Sequence, residues 1–170
     1  MKKTDRNALI ALPIVVLVGA GIAWAGSQGG AAVAGVPVCA LCVALAFLIQ
    51  WLAFIPAFLL QTEKFLDLTG SITYILVVLI AVLLSPAVDG RAILLVALVV
   101  IWAARLGTFL FRRIQRAGKD ARFDEIKPSF IRFLNFWTIQ GLWVTITVGA
   151  ALASITTTTR KELDLFALIG

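Results

Sequence analysis

Long apolar blocks separated by short polar joints set the pattern of this chain. The first block covers residues 8–26, behind a leader containing Lys2, Lys3 and Arg6. A charged start before an apolar run also describes a signal peptide. This run is longer than such a segment needs and the chain after it stays apolar, so it predicts a first transmembrane helix. A charge-free joint rich in Gly, Ser and Ala (27–35) leads to a second block at 36–60, with Pro37 at its start and Pro56 near its end. The polar joint at 61–70 precedes a third block at 71–84, which is short for a crossing, so part of 65–70 is expected to extend it. A fourth block, 92–111, contains Arg105, and a fifth, 133–155, follows the one long polar stretch at 112–128. Beyond a polar turn, residues 163–170 look like a sixth helix cut off after two turns. The expectation is an all-α polytopic transmembrane bundle, five full spans plus a truncated sixth helix, in one domain over 1–170.

Charge orients this bundle. Ten of the 15 basic residues lie in the leader (Lys2, Lys3, Arg6) or in 112–132 (Arg112, Arg113, Arg116, Lys119, Arg122, Lys127, Arg132). Four spans separate these segments, which returns them to one side, and the joints at 27–35 and 85–91 add only Arg91. Loops rich in Lys and Arg face the cytoplasm, so a cytoplasmic amino terminus is predicted. The same two segments account for the whole net charge of +6. Composition agrees: 61% of residues are hydrophobic and 14% charged, against about 25% charged in a soluble domain. A soluble enzyme or a nucleic-acid-binding module is thereby excluded despite a pI near 9.9, and the partner implied is a lipid bilayer. The absence of His removes imidazole catalysis, His-ligated metals and Ser-His-Asp triads.

Few residues remain that could carry chemistry. Cys39 and Cys42 form a Cys-x-x-Cys early in an apolar helix, where small packing residues are the plain reading. Their position near the outer end of the span leaves a disulfide open, and two further metal ligands are lacking. Arg105 is a charge inside a span, which marks function by default, although an Arg this near the helix end can also snorkel to headgroups. Trp102 and Phe109 lie on or near its face. In 112–127, arginines suited to phosphates alternate with Asp120, Asp124 and Glu125, as in a folded site rather than a plain polybasic strip. Glu63, Asp67 and Tyr74 cluster around the second basic-side joint. Asp67 is either a proton donor in an apolar setting or a helix cap, and it shares a face with Tyr74 only if Gly70 leaves the helix unbroken. In the fifth span Gln140 lies deep enough to face an interior cavity.

In order, Asp67-Leu-Thr-Gly-Ser-Ile-Thr-Tyr74, Trp102-Ala-Ala-Arg-Leu-Gly107, Arg112-Arg113, Asp120-Ala-Arg-Phe123 and Phe136-Trp-Thr-Ile-Gln140 resemble bacterial membrane proteins of the steroid 5-alpha-reductase superfamily, in a branch known as a domain of unknown function. The resemblance covers nearly the whole chain and implies a helical reductase that uses NADPH to reduce the carbon–carbon double bond of a lipophilic enone. It implies that Glu63 or Asp67, with Tyr74, polarises the substrate carbonyl. Arg105, Arg113, Asp120 and Arg122 would serve the cofactor's phosphate end, and Trp102 and Gln140 would line the substrate cavity. Members of the superfamily also carry a later Arg-His-Pro-Asn-Tyr-type cofactor motif, which a chain without His lacks. The chain is therefore expected to be the amino-terminal part of a longer reductase-like fold, without measurable NADPH binding alone. A non-catalytic membrane scaffold or lipid-binding subunit is the alternative. A transporter is weaker, for want of an inverted repeat.

Overall fold

The computed structural model describes residues 2–86 and 88–159, so the expected sixth helix lies outside the described residues. Five helices are long and apolar enough to cross a membrane: α1 (Lys3–Gly26), α2 (Val38–Leu59), α3 (Leu66–Leu84), α4 (Gly90–Ala117) and α5 (Phe130–Thr156). The third span does gain a turn from 65–70, and it runs unbroken through Gly70. The fourth extends to Ala117, past the apolar block, because nothing in 112–117 stops a helix until Gly118 takes a positive φ of 79° and donates its amide to Ile114. Its start is fixed by Asp89, whose side chain accepts the Ala92 amide at 2.8 Å.

The charge-free joint contains a feature that its composition hides. Ala32–Val33 (β1) and Val36–Pro37 (β2) pair antiparallel across Ala34 and Gly35, both at positive φ (51° and 82°). Two positive φ angles in succession match the right-handed twist of a tight hairpin. The Ala31 amide then donates to the Thr156 carbonyl at 2.7 Å, tying this hairpin to the end of α5.

Helix α5 packs along α1, α2 and α3, while α3 also packs along α2 and α4. Helix α4 rests on α3 and touches α5 only lightly, so most of its circumference faces away from the bundle. Close approach of α3 and α4 depends on Gly107: a Cβ there would stand 2.6 Å from the Ser71 Cβ. Small residues at such crossings let helix backbones meet, which matters where lipid supplies no hydrophobic drive. The core also carries polar links. Gln50 donates to Thr73 at 2.9 Å, and Trp51 donates to Thr138 at 3.1 Å.

Candidate functional site

The basic end of the bundle is a folded cap. After Gly118 the chain makes a 3-10 turn (Ala121–Phe123) that drives Phe123 between Phe133 and Phe136, leaving it 4% exposed. Glu63, in the α2–α3 joint, anchors this cap from beneath. Its carboxylate accepts the Asp120 amide at 2.8 Å and the Lys127 ammonium at 2.6 Å, with the side chains of Glu63 and Lys127 only 3% and 13% exposed. Burial alone would raise the Glu63 carboxyl. The Lys127 and Asp120 hydrogen bonds outweigh it and hold the group below its ordinary value of 4.5. Nearby, Asp120 accepts from the Arg122 guanidinium at 3.0 Å, which lowers the Asp120 carboxyl. Arg113 stands 3.9 Å from Asp67, and both are substantially solvated. On the far side of the cap Asp5 accepts from Ser129 at 2.8 Å and faces Arg132 at 3.1 Å, so α1 is tied to the start of α5.

A second locale lies deeper. Tyr74, 2% exposed, reaches from α3 toward Thr147 of α5 (3.4 Å) with the Trp102 ring of α4 standing edge-on at 5.0 Å. Where α4 and α5 diverge above this pair, a cleft of about 280 Å³ opens, lined by Leu98, Val99, Trp102, Thr147 and Val148. Trp102 also borders the outer face of α4, where Arg105, Thr108, Phe109, Arg112, Arg113 and Arg116 line an open cleft of about 960 Å³.

The expected site residues thus fall into groups. Asp67, Arg113, Asp120 and Arg122 share the cap, above the Glu63 anchor. Tyr74 meets Trp102, which lines the cleft while Tyr74 stays covered, and Arg105 lies beyond Trp102 on the exposed side of α4. Because α3 is continuous, Asp67 and Tyr74 do share a face, although Asp67 sits in the first turn, where its side chain makes no cap. Gln140 packs its amide against Gly70, two turns along α5 from Thr147, rather than at the Trp102 cleft. Cys39 and Cys42 are free, buried thiols, the latter directed at the Val77 carbonyl. Two participants escaped the sequence reading. Lys127 looked like one more surface cation among seven, and Thr147 like a helix-packing residue; each acquires its role from a partner more than sixty residues away.

A family model described as a protein of unknown function, DUF1295, matches residues 53–170, the part of the chain that contributes the cap, the Trp102 cleft and the arginine face. The chain belongs to the DUF1295 family. No curated protein and no solved structure matches it. All the expected site residues lie within the DUF1295 match, whereas α1 and the hairpin precede it.

Proposed function

We propose that this DUF1295 protein is a membrane reductase, or the substrate-holding part of one, acting on the double bond of a lipophilic enone. The observation that carries the reading is that Tyr74, on the same α3 face as Asp67, touches two residues that line an apolar cleft: its hydroxyl bonds Thr147 and its ring meets Trp102. An enone lying in that cleft would accept a hydrogen bond from Tyr74 through its carbonyl oxygen. That bond strengthens as the oxygen gains charge during attack at the β-carbon. Asp67, at the solvated end of the same face, would return the proton the product needs.

NADPH supplies the hydride when bound. The donor chemistry fits its phosphates: Arg113 and Arg122 expose 54% and 76% of their side chains, and Asp120 orients the Arg122 fork from behind. Glu63 serves the reading as an anchor, since both its oxygens are already engaged. The resemblance to the 5-alpha-reductase superfamily supports the chemistry and places part of the cofactor site in a motif this sequence lacks.

One observation favours a second reading, a non-catalytic lipid-binding subunit: Tyr74 is almost wholly covered and already bonded to Thr147. Binding separates the two. The chain in lipid nanodiscs is titrated with a hydrophobic enone and with its deoxygenated analogue. The reductase reading expects Tyr74→Phe to weaken the enone alone, by about fivefold for one hydrogen bond of ~1 kcal/mol. Equal weakening of both ligands, or of neither, refutes it and leaves the lipid-binding reading.

A further inference from the structure

We infer that the outer face of α4 is a binding surface for an anionic phospholipid. Leu98, Ile101, Arg105, Phe109, Arg112 and Arg116 follow one another at steps of three and four and so form one stripe along the helix. The stripe faces away from the bundle: Leu98, Ile101 and Phe109 are 56%, 67% and 63% exposed, and the three arginines are exposed as well. Its chemistry changes along its length. One half is apolar and the other carries a cation every one to two turns, spaced by about 6 Å from Arg112 to Arg116 and about 10 Å from Arg105 to Arg112. A phospholipid has the same polarity, with chains at one end and a phosphate at the other. Arg112 and Arg116 would fork the phosphate, and Arg105, one step deeper in the span, would extend down to it.

Charge complementarity decides the occupant. Arg105, Arg112 and Arg116 have no carboxylate partner among the described residues, whereas Arg113 pairs with Asp67, Arg122 pairs with Asp120, and Arg91, at the other end of α4, bonds Ser154. Among the described residues a second copy of this chain offers these three arginines a single uncommitted carboxylate. Asp5, Glu63, Asp67, Asp120 and Asp124 are held in ion pairs and Asp89 caps α4, which leaves Glu125 alone among the described carboxylates. Three unneutralised guanidiniums beside lipid chains need an external anion, and the membrane itself carries one at that level. The inference goes beyond the reductase reading, since Arg112 and Arg116 take no part in that mechanism.

The test measures retention of phosphatidylglycerol by the purified full chain, using native mass spectrometry across a lipid titration. Arg112→Gln with Arg116→Gln should weaken retention about thirtyfold, from roughly one phosphate contact per arginine. Lys2→Gln with Lys3→Gln removes as much charge from the exposed leader and should leave retention unchanged. Equal loss in both variants would reduce the effect to general attraction of a basic protein for acidic lipid and overturn the site. So would unchanged retention in the arginine variant. Displacement of the lipid by soluble NADPH or inorganic phosphate would also overturn it, by assigning the stripe to a free phosphate. Circular dichroism of both variants checks that the helices persist.

Discussion

Replacing Glu63 by Gln should release the cap at the basic end. The glutamine can still accept the Asp120 amide, but it faces Lys127 with a neutral group where a carboxylate stood at 2.6 Å. Removing one member of a buried ion pair costs about 3–5 kcal/mol, because the other charge stays buried without compensation. The low end applies here, since Lys127 is 13% exposed, keeps the solvated Asp124 carboxylate at 3.7 Å, and one of the two Glu63 contacts survives. A loss of about 3 kcal/mol raises the open population of the cap about a hundredfold. Hydrogen exchange across 118–129 reads this directly, because the amides of Phe123, Asp124, Ile126, Lys127 and Ser129 bond only within the cap. Adding Lys127→Met should recover most of the protection, as the stranded charge is then gone. The same segment reports pH. A carboxyl held below 4.5 in the folded chain contributes stability that is complete above that value and is lost as pH falls through the lowered folded value. Wild-type exchange, corrected for its intrinsic rate, should therefore be flat above 4.5 and rise below it, and Glu63→Gln should shrink this acid limb to what the likewise lowered Asp120 and Asp124 carboxyls contribute. Wild-type protection in Glu63→Gln at neutral pH would refute the argument that this pair holds the cap.

Two further substitutions probe the packing. Gly107→Ala forces a Cβ against Ser71 and should cost about 1–3 kcal/mol by parting α3 from α4, seen as a lowered melting temperature in detergent. Ser71→Gly in the same chain should restore most of it. Gln50→Leu should change stability by less than about 1 kcal/mol, because the Gln50 carbonyl oxygen is buried without a partner and Thr73 keeps its bond to the Thr69 carbonyl. A loss several times larger would mean that this oxygen has a bound partner.

Five spans could be located from the sequence because a crossing is specified locally: about twenty apolar residues must be contiguous, whatever the helix packs against. The gathering of ten cations into two segments was equally legible, since charge adds up along a chain without reference to its fold. Even the alternation of acids and bases in 119–127 signalled a folded cap rather than a loose strip. Direction was not legible. The fourth span has apolar residues all around, so nothing in its sequence shows that Ala103 and Gly107 turn inward while Arg105 turns out; contact with α3 decides that. Glu63 looked like a free acid until Lys127, 64 positions later, closed on it. Nothing in the sequence told that Tyr74 is covered, because the residues that cover it come from α4 and α5. Hydropathy and charge are properties of segments and survive in the unfolded chain. Which carboxylate is consumed, which tyrosine is covered and which arginines stay unpaired are properties of pairs, and these exist only once the helices have packed.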